Sequence, residues 1–422
     1  MQQLNKSSLF AQPFMLLLLL AGAFGAVWLG ARAAALFLLI LFLLEGISWL
    51  WSRGALRRAA LSIPEEQPSC HAGEWLRLTL CLHNRSFFPV IWLEAVLPMG
   101  KKALLSRNAD EPGEVCEIET LGPRAVFRER FVWLLWQQEL RCEEALYAAK
   151  RGVVPLERVL LSAGDGFGLA ACRRWAKLEA PRTLVIYPAL LPVDLTIFER
   201  LISEAQAGKR GQTEDPTLLR SVRDYQPGDP ARKLNWRALA MSGRMQINQY
   251  EQYTPGCMLF VLDLQSYRLI QETDSSDGRT IRRITVREAA LERMISLIAS
   301  LLTGLSARGM RFALLLPGYG GREALRAEPG CGDAALARVL YALAEIDYAG
   351  ESAAFDPEVI LHESHSGRLF FCAFSEAETT LAMHAAELGR GRVRFIVSTS
   401  AETPGEAGVL TADSLLSGGD PS

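Results

Sequence analysis
The chain has 422 residues, 50% of them hydrophobic, and a formal net charge of −2. That length allows two or three domains, and the near-neutral balance argues against a general nucleic-acid binder. The 8 cysteines, at 70, 81, 116, 142, 172, 257, 331 and 372, include no C-x-x-C pair. Their spacing gives neither a zinc cluster nor a disulfide framework, and they read as small buried hydrophobes of a reducing compartment.

Pro13–Ala31 and Ala33–Trp51 are almost wholly apolar, with Arg32 between them. Each run is roughly 19 residues, enough for a hydrocarbon core of about 30 Å. A cleavable signal peptide is the rival reading of the first run, because Lys6 precedes it and small residues follow. The second apolar run begins at once, however, with no mature polar segment between. We therefore expect a transmembrane hairpin that meets the lipid bilayer through residues 13–51. Lys6 before the first run, and Arg53, Arg57 and Arg58 after the second, outweigh Arg32 in the turn. The positive-inside rule then places both termini in the cytoplasm. Trp49 and Trp51 suit the interfacial belt, and Glu45 within the second span either snorkels or meets a partner helix.

From residue 59 the pattern changes. Leu76, Leu78, Leu80 and Leu82 alternate with Trp75, Arg77, Thr79 and Cys81, the period of a half-buried strand. Val90–Leu97, Cys116–Ile118, Ala125–Trp136 and Val153–Leu161 supply further strands, punctuated by Gly and Pro. Short strands with turns between them predict an antiparallel, β-sandwich-like domain over 59–188, a scaffold rather than a catalyst. Leu184–Tyr187 reads as an extended connection out of it. Ala205–Pro216 reads as a polar loop.

Leu219–Tyr253 is dense in charge. Pro227-Gly228-Asp229-Pro230 predicts a sharp turn, with Asp229 as N-cap and Pro230 at the first position of a helix over Pro230–Met241. Gly243 ends that helix, and alternation from Met245 to Tyr250 predicts a strand. The turn, helix and strand would gather Arg223, Arg232, Arg237 and Arg244.

Cys257–Leu264 is a continuous apolar run, as in a buried parallel strand. The predicted series continues with a helix over Ile284–Arg308, a strand over Arg311–Leu316 and a helix over Asp333–Ile346. A strand over Arg368–Phe374, a helix over Glu376–Leu388 and a strand over Val393–Ser398 complete it. This alternation predicts a mostly parallel, Rossmann-like α/β domain over 257–400, with ligands outside the carboxyl ends of its strands. Residues 401–422 read as a flexible tail, within which Val409–Leu416 can add one short element. Gly318-Tyr319-Gly320-Gly321 lacks phosphate-loop spacing, and His362 and His365 have no zinc-type neighbours.

The pattern Arg223-x-Tyr225-x-Pro227-Gly228-Asp229-x-x-Arg232-x-x-Asn235-Trp236-x-x-x-Ala240 resembles the signature of the bacterial domain-of-unknown-function fifty-eight family. Met241 departs from it, since the family usually has Arg there. Asp165-Gly166-Phe167-Gly168-Leu169 resembles the end of the family's β-domain, with Gly166 where Pro is usual. The resemblance implies a layout: a transmembrane hairpin (1–58), the β-domain (59–188), a linker with the signature (189–256) and a von Willebrand A-like domain (257–400). It also implies residence in the bacterial inner membrane and partnership with a MoxR-type AAA+ ATPase and membrane proteins. In von Willebrand A-like domains a D-x-S-x-S motif holds Mg²⁺. Here the string is Asp263-Leu264-Gln265-Ser266-Tyr267, which leaves Asp263 as a turn residue or as the remnant of a metal site.

No G-x-S-x-G, H-E-x-x-H, P-loop or recognisable Cys–His signature occurs, so no catalytic residue, metal or cofactor is assigned. We expect a membrane-anchored cytoplasmic adaptor without catalytic activity of its own. The alternatives are a hydrolase built on Asp229, Arg232 and Asp263, and an anion sensor built on the signature arginines. Those arginines can equally bridge two domains through Asp224 and Glu251.

Overall fold
Two apolar helices, α1 (Pro13–Trp28) and α2 (Arg32–Arg57), open the fold. Gly30 joins them at φ 73°, a backbone shape that favours glycine. Their large side chains, among them Phe14, Phe24, Trp28, Phe37 and Ile47, are mostly exposed, as suits association with a membrane. By length and composition α2 can cross a bilayer. At 16 residues, α1 is about 24 Å long.

The computed structural model describes residues 2–3, 13–65, 68–100, 103–109, 113–118, 122–164, 171–200, 214–227, 229–252, 257–274, 280–318, 323–347, 368–375, 393–398 and 409–416. The chain divides into two units, Met1–Ala189 and Leu190–Ser422.

In the first unit, the strands are β1 (Gln2–Gln3), β2 (Ala59–Ser62), β3 (Ser69–His71), β4 (Trp75–Asn84), β5 (Val90–Pro98) and β6 (Leu105–Ser106). They continue with β7 (Val115–Ile118), β8 (Gly122–Leu134), β9 (Glu139–Ala148), β10 (Gly152–Gly164) and β11 (Ala171–Tyr187). One sheet has seven strands in the order β1-β7-β8-β5-β10-β11-β3, and a second has four in the order β2-β4-β9-β6. Alternation decides the burial. Leu76, Leu78, Leu80 and Leu82 of β4 enter one apolar core with Leu93 of β5, Phe127 and Phe131 of β8, and Leu161 of β10.

Two expectations change here. Leu184–Tyr187 is the end of β11, paired with β10 and β3, not a connection leaving the domain. The helical hairpin extends beyond its expected end at residue 51. Its second helix runs past Trp51 to Arg57, and Ala55 and Leu56 belong to the β-sheet core. The cause is the change of face around Ser52, where small residues replace the lipid-sized Leu and Phe of the span.

The second unit carries β12 (Glu214–Asp224), α3 (Trp236–Ser242), β13 (Gln246–Gln252), β14 (Cys257–Leu262), β15 (Arg268–Asp274) and β16 (Thr280–Val286). After these come α4 (Glu288–Ala307), β17 (Arg311–Leu316), β18 (Leu325–Gly330), α5 (Asp333–Glu345), β19 (Arg368–Ala373), β20 (Val393–Val397) and β21 (Val409–Thr411). Its main sheet runs β18-β17-β14-β19-β20-β21. All neighbours are parallel except β17–β18. Counted within the sheet, that order is 3-2-1-4-5-6, the doubly wound order. Every residue of β14 is buried, as a strand covered on both faces requires.

Helix α4 begins at Glu288 rather than at Ile284. Thr280–Val286 instead pairs antiparallel with Arg268–Asp274, and its Ile, Thr and Val residues favour the strand. Although α4 is also long and apolar enough to cross a membrane, 56% of its apolar window is buried inside this unit. Strand β18 was not expected. Its Pro329 is tolerated because β18 is the sheet's edge. The element expected at Val409–Leu416 is β21 with a following 3₁₀ turn, so the sheet reaches into the stretch read as a tail. The predicted helix Glu376–Leu388, the Asp165–Leu169 tract, the Tyr319–Gly321 part of the glycine loop, and His362 and His365 lie outside the described residues. So do residues 205–213 of the predicted polar loop, whereas Glu214–Pro216 already belong to β12.

Candidate functional site
The signature folds as a β-turn-helix-β module within the second unit. Strands β12 and β13 are antiparallel, with Arg223 opposite Ile247 and Asp224 opposite Gln246. Tyr225 closes the end by donating its N–H to Met245 O at 2.9 Å. Arg223 then grips Asp229 with both terminal nitrogens, at 2.8 Å to Oδ2 and 2.7 Å to Oδ1. Gln226 N–H adds a third donor to that carboxylate. The Arg223 guanidinium, then the Gln226 amide, hold the Asp229 carboxyl below the usual carboxylate range.

This overturns the expected cap. Asp229 is occupied by Arg223 and Gln226, and the chain after Pro230 forms a 3₁₀ turn over Ala231–Lys233. The helix starts later. Asn235 is its N-cap, accepting the Ala238 N–H at 2.9 Å. Asn235 also donates its own N–H to Gln246 O of β13, which fixes the helix to the strand. Gly243, at φ 66°, ends it as expected. Leu234 and Ile247 bridge and are buried beneath the module.

No residue of α3 is buried. Trp236 is 67% exposed and Met241 81% exposed, with Met245 and Tyr225 also at the surface. Arg232, Arg237 and Arg244 are exposed too. The structure thus unites Arg223 and Asp229 in one internal pair and leaves Tyr225, Arg232 and Trp236 facing outward. Pro227 is exposed, and Gly228 lies outside the described residues.

Asp263 stands after β14, at the carboxyl end of the main sheet, and is buried. Its Oδ1 accepts Gln265 N–H at 2.9 Å, and its N–H donates to Cys372 O on the neighbouring strand. Gln265–Tyr267 is a 3₁₀ turn. That turn directs Ser266 Oγ to Asp263 O at 2.9 Å and lets it accept Phe374 N–H at 3.0 Å. Tyr267 is wholly buried, its hydroxyl 2.9 Å from Ser398 Oγ after β20, and burial pushes its phenol up. Arg287 lies over the Phe374 ring at 3.6 Å and donates to Ser266 O at 3.3 Å. The hydroxyls of Ser266 and Tyr267 therefore brace neighbouring strand ends. They do not converge on Asp263 as a Mg²⁺ shell would require.

Sequence reasoning missed one cluster. Glu129 of β8 and Cys142 and Glu144 of β9 bring their ligand atoms within 4.8 Å of one another. The i, i+2 spacing of Cys142 and Glu144 was the available signal, but Glu129 joins them from the other sheet. Such a set can hold a soft divalent cation in principle. Here Arg107 supplies the positive charge, donating to Glu129 Oε2 and to Arg128 O at 2.7 Å each. Burial, and then Glu129 and Glu144, push the Cys142 thiol up. A cavity of about 270 Å³ beside Arg107 is lined by Arg128, Glu114, Phe127 and Leu105.

Comparison with known proteins adds little to this geometry. No protein-family model matches the chain. The uncharacterized protein YeaD of Bacillus subtilis (strain 168) is 24% identical over 223 residues. That match covers 52% of this chain and 51% of YeaD, so the chain spans about half the length of this relative. Among solved structures, a cohesin module from a Clostridium perfringens family 33 glycoside hydrolase is 14% identical. It matches 30% of this chain and 96% of its own, with a TM-score of 0.19. A GH20 exo-β-N-acetylglucosaminidase from Vibrio harveyi is 11% identical, over 75% of this chain and 57% of its own, with a TM-score of 0.18. Scores this low bear on neither fold nor activity.

Proposed function
We propose that this is a membrane-anchored adaptor of the domain-of-unknown-function fifty-eight type. In this reading α1 and α2 span the bacterial inner membrane, and the remainder works in the cytoplasm with a MoxR-type AAA+ ATPase. The carrying observation is the surface of the signature module. Its Arg223–Asp229 ion pair is satisfied internally, while Trp236, Met241, Met245 and Tyr225 face outward beside Arg232, Arg237 and Arg244. Large apolar and aromatic groups ringed by Arg are the usual chemistry of a protein contact. The module therefore reads as a docking face rather than a catalytic site, and no catalytic activity of the chain's own is assigned.

Other features support the rest of the reading. Gln2–Gln3, before α1, pairs with Cys116–Glu117, after α2, which suits a hairpin whose two ends lie on one side of the membrane. The 3-2-1-4-5-6 sheet, with its antiparallel third strand, supports a von Willebrand A-like second unit with a degenerate metal motif. The two sheets around one core in the first unit support a β-sandwich-like domain.

The test is co-purification from detergent-solubilised membranes. Trp236→Ala should release the ATPase partner while the protein melts within about 0.5 kcal/mol of wild type, as surface substitutions do. A variant that retains the partner in full would refute the docking face. A C-terminal reporter fusion should behave as cytoplasmic, and alkaline-phosphatase activity at that end would reverse the topology.

A further inference from the structure
We propose that the loop at residues 85–88 and the end of β8 with its following turn, residues 132–137, form a second membrane contact of the first unit, an apolar rim seated in the lipid headgroup layer around the end of α2. This inference rests on the reading of α1 and α2 as bilayer-spanning helices.

The rim is built of side chains that have no core to enter. Phe87 is 72% exposed, Trp133 74% and Trp136 59%, and Val132 and Leu135 are exposed beside them. Phe87 lies on one loop, Val132 and Trp133 close strand β8, and Leu135 and Trp136 begin the turn after it; one buried residue ties the two segments together. Asn84 donates Nδ2 to Phe88 O and to Leu135 O, both at 2.9 Å. Its Oδ1 accepts the N–H and the hydroxyl of Ser86. The Asn84 N–H reaches Gln138 O, and Gln138 Oε1 returns to Leu135 N–H. Trp133 and Gln137 are held at φ 56° and 51°, a region that bulky residues rarely adopt without a tertiary constraint. The exposed rings are therefore presented on a braced tip.

The same tip is fixed to α2. Trp51 Nε1 donates to Pro89 O at 3.0 Å, and its ring meets Phe88 edge-on at 5.6 Å. Arg85 N–H donates to Arg58 O. At Gly54, a Cβ would lie 2.8 Å from the Phe88 ring, so the helix and the loop are in close contact. Helix α2 has 26 residues, about 39 Å, against a hydrocarbon core of about 30 Å. Its last turns thus emerge into the headgroup region, and the loops are bonded to those turns. Trp and Phe settle where one side is apolar and the other wet. Arg53, stacked on Trp49 at 4.2 Å, with Arg57 and Arg58 adds a basic collar suited to anionic headgroups. The continuity with α2 selects lipid, rather than a protein, as the occupant.

The full chain, reconstituted in nanodiscs of phosphatidylcholine and phosphatidylglycerol with or without brominated acyl chains, supplies the test. Tryptophan emission is compared between wild type and the Trp133→Phe/Trp136→Phe double variant, which keeps apolar bulk at both positions. The emission removed by the substitutions should be mostly the bromine-quenched kind. Phe87→Trp, at an exposed position, should add emission that bromine also quenches. If both the removed and the added emission ignore bromination, while the double variant's remaining tryptophans are still quenched, the rim is overturned and the hairpin stands. If bromination quenches nothing in any of the proteins, the hairpin reading itself fails, and the rim fails with it.

Discussion

At the scale of single residues, the signature is organised by who captures Asp229. A carboxylate ahead of a proline is a good helix cap in isolation, but Arg223, six positions earlier, offers two aligned charged donors. The stronger partner wins, and the cap passes to Asn235. This competition sets a pH dependence. The folded pKa of Asp229 is lowered, so as pH falls the unfolded chain takes up the proton first. Stability from the pair is complete above the ordinary carboxylate value of about 4 and is lost as pH falls through the lower folded value. Asp229→Asn keeps the shape without the charge. Its stability deficit against wild type, followed by denaturant midpoints, should be constant from about pH 8 to about pH 5 and should shrink below about pH 4. A deficit that stays unchanged in acid would show that the charge of Asp229 does not stabilise the fold.

At the scale of elements, legibility tracked the length and purity of each apolar pattern. Strands β4, β5, β14, β17, β19 and β20 were readable because alternation or continuous burial leaves few other solutions. Ile284 was not, since it falls in phase with Leu291, Ile295 and Ile298 of α4 although its backbone pairs with Ile270. The docking of α2 was equally hidden. Nothing in Gly54 announces that Phe88, more than thirty residues on, will pack where a Cβ would be. The candidate sites fared likewise. The signature was legible as a motif, but which of its residues would face outward depended on the tertiary pair between Arg223 and Asp229. The close approach at Gly54 gives a direct test. Gly54→Ala should destabilise the first unit by about 1–3 kcal/mol through overpacking. Phe88→Ala should remove most of that increment in a double-mutant cycle. Thermal unfolding in detergent measures both, and purely additive losses would mean that the helix and loop do not press on each other.

For the whole molecule, the proposed docking role divides into two chemistries, contact through a bound ion or contact through side chains alone. A metal-dependent contact needs a near-octahedral oxygen shell completed by a partner's acid. At the carboxyl end of β14, Ser266 Oγ is held between Asp263 O and Phe374 N–H, and Tyr267 is sealed in the core against Ser398. Recruiting Ser266 to an ion would break its bond from the Phe374 amide, at a cost of about 0.5–1.5 kcal/mol. Moving Tyr267 would cost its burial as well. Among the described residues of this turn, Gln265 is the further side chain with an oxygen for an ion at Asp263, and one carboxylate with one amide oxygen is too few to displace several firmly held waters. Adding Mg²⁺ or Mn²⁺ to the purified full chain should therefore give no saturable heat in calorimetry and no shift in melting temperature, with wild type and Asp263→Ala responding alike. The docking face proposed on α3 would then act through its own side chains, and the proposed partner capture should survive chelation. Micromolar, saturable binding that Asp263→Ala abolishes would require the Gln265–Tyr267 turn to rearrange around an ion. In that event, metal occupancy would be the switch that controls partner binding.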